Sequence, residues 1–248
     1  MKRLLATLAL VLLFVGAVSA QVENRKLDFD EDTDFFIGKG AFKAEPLSYF
    51  LFGDHYFFNA DDSFNNNKGK SNTEFGFNLI ELGIKPYESG MLSVGVDLDW
   101  KYYRLDSWHY WLPGQDKTSV SIETMENSGL KKIKKSRLSV RTIALPVCFE
   151  QNFGSIDIRI GAIGEYNFPG VSKFRGVSAD GATIKETKSG TRFSNTVKTN
   201  TFTYSFFGAI SFGGCGMYLK YRPAFQFMEG YGPQFQTLTC GLITGLGM

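Results

Sequence analysis

From Ser155 to Tyr166 the chain reads SIDIRIGAIGEY, and its side chains sort by parity. Ile156, Ile158, Ile160, Ala162 and Tyr166 fall on one face, and Asp157, Arg159 and Glu165 on the other. Successive side chains of an extended strand point to opposite sides, so this segment predicts a strand with one apolar and one charged face. In a water-soluble sheet the charged face meets solvent. In a membrane barrel the order is inverted, with the apolar face against lipid and the charged face inside.

The same alternation recurs along the chain. Eight strands are predicted, at 47–58, 73–85, 91–104, 137–150, 155–166, 201–212, 217–228 and 235–248. In the third, Leu92, Val94, Val96, Leu98, Trp100 and Tyr102 oppose Ser93, Gly95, Asp97, Asp99 and Lys101. In the fourth, Ile143, Leu145, Val147 and Phe149 share the apolar face, and Pro146 demands a bulge or kink because it cannot donate to a ladder. In the seventh, Leu219, Tyr221 and Phe225 oppose Tyr218, Lys220 and Arg222. In the eighth, Leu238, Cys240, Leu242, Leu246 and Met248 oppose Thr237, Thr239 and Gly241. In the second, Phe75, Phe77 and Leu79 run out of phase with Leu82 and Ile84, which predicts a bulge near Glu81.

The connections after strands two, four and six are short; those after one, three and five are long. Aromatics gather near strand ends, at Tyr102, Tyr103, Trp108, Tyr110 and Trp111 and at Tyr49, Phe52 and Tyr56. An even strand count, alternating loop lengths and aromatic girdles are the marks of an outer-membrane barrel. The expected fold is therefore all-β: an eight-stranded antiparallel up-and-down transmembrane β-barrel with short periplasmic turns and long extracellular loops. The alternative is a secreted or periplasmic lipocalin-like barrel whose apolar face turns inward around a lipophilic ligand. The presumed lipid face of strands three, five and eight reads as uncharged, which favours the membrane barrel.

The chain opens MKRLLATLALVLLFVGAVSAQ. Lys2 and Arg3, an apolar run from Leu4 to Val15, and small residues at Val18 and Ala20 predict a signal peptide over 1–20, cut before Gln21. The run is too short to span a bilayer. Residues 21–46 read as a polar arm crowded with Asp28, Asp30, Glu31, Asp32 and Asp34. A calcium loop would need Gly and Glu where Thr33 and Lys39 stand, so a solvated arm is expected. The barrel then occupies 47–248. Without Lys2 and Arg3, 25 of the 27 basic residues remain against 25 acidic ones, a balance that gives no reason to expect nucleic acid. Cys148, Cys215 and Cys240 lack metal-ligand spacing and read as packing residues.

No nucleophile elbow, phosphate loop or zinc pattern is present, so a non-enzymatic protein without a cofactor or metal is expected. His55 reads as a rim or surface residue of the first strand, and His109 lies in a long loop with Ser107 and Asp106, an adjacency that is not geometry. Asp97, Asp99, Lys101, Asp157, Arg159, Glu165, Lys220 and Arg222 should project into the lumen. An eight-stranded barrel has room only for side chains, so these mixed charges predict a packed, salt-bridged interior rather than a pore. Lys131, Lys132, Lys134, Lys135, Lys173, Arg175, Lys185, Lys188 and Arg192 fall in the predicted extracellular loops. They would attract lipopolysaccharide phosphates or another anionic polymer. The plainer account is that solvated loops carry lysine for solubility.

The stretch LSVRTIALPVCFEQNFGSIDIRIGAIGEYNF at 138–168 and the glycine- and aromatic-rich hairpin at 202–248 resemble the small eight-stranded outer-membrane barrels of Gram-negative bacteria. In particular the chain resembles the porin-T-like (outer membrane beta-barrel) proteins of Bacteroidetes, whose fourth strand also carries proline between hydrophobic residues before a short turn. The resemblance implies residence in the cell outer membrane among its lipid and lipopolysaccharide. It implies location more than activity; the expected role, a part in envelope structure, adhesion or surface and secretion assembly with an envelope or secretion-complex protein as partner, rests on the long loops and the polar arm. Such barrels usually end in an aromatic residue; this chain ends Gly245-Leu246-Gly247-Met248.

Overall fold

The computed structural model describes residues 42–60, 72–87, 89–105, 108–114, 119–188 and 197–245. The predicted signal peptide, the arm's Asp28, Asp30, Glu31, Asp32 and Asp34, and Asp106, Ser107, Arg192, Leu246 and Met248 lie outside the described residues. Among the described residues thirteen strands form: β1 Phe42–Pro46, β2 Phe50–Phe58, β3 Thr73–Tyr87, β4 Gly90–Arg104, β5 His109–Pro113, β6 Val120–Thr124 and β7 Leu130–Phe153. They continue with β8 Ile156–Asn167, β9 Val171–Ser178, β10 Thr183–Lys188, β11 Phe202–Phe212, β12 Cys215–Arg222 and β13 Gln236–Thr244. A 3-10 turn at Glu126–Ser128 precedes β7. Among the described residues no helix is long and apolar enough to cross a membrane.

Eight of these strands close a ring. β2, β3, β4, β7, β8, β11, β12 and β13 pair antiparallel in that order, and β13 pairs back onto β2. They coincide, to within a few residues at most ends, with the eight predicted strands. The register fixes the geometry. A row followed across the ladders from Arg141 runs through Trp100, Phe75 and Phe52 to Leu242. It continues through Met217, Ile210 and Ile158 and returns to β7 at Gln151, ten residues from its start. A stagger of ten over eight strands tilts them about 40° from the barrel axis and lifts the chain about 2.5 Å per residue.

The ring leaves no edge, so its backbone groups are satisfied internally, the condition for lying in lipid. Side chains follow parity. Leu145, Val147, Ile160, Phe206, Ile210 and Leu219 point outward and exposed, while Asp97, Lys101, Arg159 and Lys220 are buried inside. The outward face is not wholly uncharged: Asp54 and Arg141 are exposed on it, and Arg104 ends the outward row of β4.

The predicted bulge is present. In the β3–β4 ladder the register slips between Asn78 and Ile80, and again between Ile84 and Tyr87. The first slip puts Glu74 and Asn78 before it, and Glu81 after it, all on the interior side. Pro146 needs no bulge. Register is the same on either side, Val94 against Val147 and Asp97 against Ala144, but the pairs at Gly95 and Val96 between them are unbridged. The missing proline N–H therefore costs β4 a ladder step while β8 keeps its pairing at Ile163. Gly95 suits this gap, since a Cβ there would come 2.8 Å from Asn78 Nδ2, 3.1 Å from the Ile80 carbonyl oxygen and 3.3 Å from Pro146 Cγ.

The long segments 106–136 and 168–200 differ from expectation. β5 and β6 form a separate hairpin. β7 runs on as a 24-residue strand, β9 pairs along its extension, and β10 pairs with β9. Lys131, Lys132, Lys134 and Lys135 thus lie on β7, Lys173 and Arg175 on β9, and Lys185 and Lys188 on β10, in strands rather than loops. Parity persists in β9, with Ser172, Phe174 and Gly176 buried opposite Lys173 and Arg175. In β7 two register slips, at Leu130/Lys132 and Ile133/Lys135, break the period-two pattern that would have shown the strand. β1, at the end of the predicted arm, pairs with β3.

Candidate functional site

The interior is layered along the barrel axis. Toward the short turns, Arg159 pairs with Glu81, reaches Glu150 Oε1 at 3.0 Å from its Nε, and donates to Ser93 Oγ at 3.1 Å. Its guanidinium lies 4.7 Å over the Tyr49 ring. Tyr49 donates its hydroxyl to Asp97 at 2.6 Å, and Asn78 donates to the other Asp97 oxygen at 2.8 Å.

In the middle layer Lys220 pairs with Glu74 and lies 3.1 Å from Asp99 and 3.9 Å from Glu165. Lys101 stands 2.9 Å from the second Glu165 oxygen. Thr203 and Ser205 donate to Glu165 at 2.9 and 3.1 Å. Above them Arg222 donates to the Tyr103 hydroxyl at 3.2 Å, which in turn donates to Gln226 at 2.8 Å. Three carboxylates, Glu74, Asp99 and Glu165, thereby share the space with three cations, Lys101, Lys220 and Arg222.

Beyond Tyr103 the interior turns apolar. Leu105, Trp111, Val120, Leu138, Val140, Val197, Phe227 and Phe235 form one buried cluster with Tyr103. Trp111 donates its indole N–H to the Tyr103 carbonyl at 3.1 Å. Trp111 and Val120 come from the β5–β6 hairpin, so the long segment after β4 supplies a plug for the mouth of the ring. A second apolar cluster, including Leu51, Cys148, Ile163, Phe207 and Ile243, packs among the charged layers.

Seven of the eight residues read from the sequence as lumenal are buried inside; Asp157 is not. It sits half-exposed at the short-turn end and accepts a 2.6 Å bond from Asn152. His55 is no rim residue. It is buried, its Nδ1 2.6 Å from Thr239 Oγ1 and its ring stacked on Tyr103 at 5.3 Å. His109 lies on β5 opposite Thr124. Glu74, Glu81 and Glu150 escaped the sequence reading, the first two because the bulge reverses parity within one strand. Among the described residues no three His, Cys, Asp or Glu side chains are grouped to hold a metal ion.

The long-loop end carries a second feature on its outer wall. Arg104 pairs with Arg137 across β4 and β7, and Arg137 pairs with Lys173 across β7 and β9. Lys135 pairs with Arg175 next to this row. The Arg137 guanidinium rests 4.8 Å over the Tyr102 ring. Arg137 foremost, then burial, Lys173 and Arg104, hold the Lys135 ammonium below its ordinary range.

Ring and interior together define a class: a closed eight-stranded barrel, apolar outside and ionic inside. No protein-family model and no curated protein matches the chain. Among solved structures the chain is similar to Neisserial surface protein A, with a TM-score of 0.33 and 10% identity over 82% of this chain and 99% of that one.

Proposed function

We propose that this chain is a non-enzymatic outer-membrane β-barrel with a sealed interior. The observation that carries this reading is the inverted wall. From Leu92 to Trp100 the outward residues of β4 are all apolar, a rise of about 20 Å at the barrel's tilt, close to the belt of about 25 Å that such barrels present to lipid. Tyr56, Tyr102, Tyr166 and Tyr204 stand on the outward wall toward the long-loop end, where an interfacial girdle belongs. The short turns would then face the periplasm and the β7–β9–β10 extension the outside.

With ion pairs and an apolar plug filling the lumen, the extension is the working surface. Its role lies in envelope structure, adhesion or surface and secretion assembly, alongside lipopolysaccharide and an envelope protein. Membership in the porin-T-like group and export by a cleaved signal peptide belong to the same reading.

The test is fractionation of the native envelope followed by a gel of unboiled and boiled outer-membrane protein. A faster-migrating unboiled band in the outer-membrane fraction is expected. Recovery in the soluble periplasm would overturn the proposal. In planar bilayers the folded protein should show no steady conductance.

A further inference from the structure

We infer that the outer wall formed by β4, β7 and β9 is a docking surface for the phosphorylated headgroup of a glycolipid in the leaflet around the long-loop end. The inference rests on the membrane-barrel reading above.

Three observations carry it. The first is a row of like charges: Arg104, Arg137 and Lys173 are directly opposite one another on three successive strands, with Lys135 and Arg175 as the next pair. Like charges in cross-strand register repel, so the sheet stabilises this row only when something outside neutralises it. Among the described side chains the carboxylates in ion pairs are held by His55, Lys101, Arg159 and Lys220 in the interior, and none of those pairs involves the five. The Arg137 Nε is shielded from solvent and has no hydrogen-bond partner.

The second is height. Arg104 follows Tyr102 by two residues on the outward face of β4, about 5 Å further from the apolar belt at the barrel's tilt. Phosphates of a lipid headgroup lie in this zone, just above the hydrocarbon. The third is facing. Arg137 and Lys173 share the outward parity of Leu145 and Val147, so they look sideways along the leaflet rather than up into solvent. Solubilising lysines would have no need of that direction. Arginine offers two parallel N–H groups to a phosphate, and the Tyr102 ring beneath Arg137 holds its plane.

The full mature chain, folded in detergent micelles, would be titrated with bis-phosphorylated lipid A and with its dephosphorylated form, and bound lipid counted by native mass spectrometry. Replacing Arg104, Arg137 and Lys173 together by glutamine should weaken retention about a hundredfold, at about one decade or less per cation. Removing the phosphates should weaken it comparably. Lys85→Gln, at the short-turn end of β3, should leave it unchanged.

Equal retention by the triple variant, or equal binding of the dephosphorylated lipid, would overturn the inference. So would displacement by inorganic phosphate at matched concentration, which would mark a general anion site. Failure of the barrel reading shows separately, as loss of the fast unboiled band in the unaltered protein.

Discussion

Lys101 Nζ lies 2.9 Å from Glu165 Oε2, yet their strands β4 and β8 are not neighbours: β7 runs between them. The pair therefore bridges the interior rather than a ladder. With Lys220 reaching Glu74 on β3 and Asp99 on β4 from β12, ion pairs tie opposite walls of the ring together. Both partners of each are buried, so desolvation is offset only while the set stays complete.

Lys220→Met should accordingly destabilise the barrel by about 3–5 kcal/mol, because Glu74 and Asp99 are left buried without their nearest cation. Urea unfolding in micelles, followed by tryptophan fluorescence, measures it. Adding Glu74→Gln should restore part of the loss; equal instability in single and double variants would show that the pairing is not what holds the layer.

Leu145 is 53% exposed near the middle of the outward face of β7. Leu145→Lys should cost about 2–4 kcal/mol in a bilayer. The same change on a water-facing wall is close to neutral. Folding assays in lipid vesicles separate the two, and a neutral result would count against lipid contact.

The three cysteines report orientation. Cys215 is exposed as the first residue of β12, beside a short turn, Cys148 is buried inside, and Cys240 is partly buried on the outward wall of β13. A membrane-impermeant maleimide should label Cys215 in permeabilised cells and leave intact cells unlabelled. Labelling of intact cells that disappears in Cys215→Ser would invert the assigned sides.

Phe235 is fully buried in the plug and meets Phe57 edge-on at 4.7 Å. Phe235→Ala should cost about 3–5 kcal/mol through the cavity it leaves. It should not open a conducting path, since the ionic layers beneath are untouched. Steady single-channel current from this variant in planar bilayers would show that the plug alone seals the barrel.

Much of this architecture was legible residue by residue. In 91–104 and 155–166, parity alone separated Asp97, Asp99, Lys101, Arg159 and Glu165 from their apolar neighbours, because side-chain direction in a strand depends only on position along it. The mismatch between Phe77 and Leu82 announced a bulge. It did not announce that Glu74 and Glu81, seven residues apart and of opposite parity, would both face inward, which follows only once the slip at Leu79 is placed. Asp157 obeys parity and yet misses the network, because it lies at the rim. The extension of β7 was hidden for a related reason: bulges in 130–135 interrupt the period that marks a strand.

The sequence by itself determined the eight ring strands, which residues share a face, and where the bulge and the short turns fall, since each rests on local, period-two geometry. It could not determine which face is the inside, because alternation is symmetric between the two. Closure of β13 onto β2, a pairing of residues nearly the whole chain apart, made that decision. The same closure chose the partners of each charge and stacked Arg104, Arg137 and Lys173 in one row. Both depend on register between distant strands, which no local period encodes.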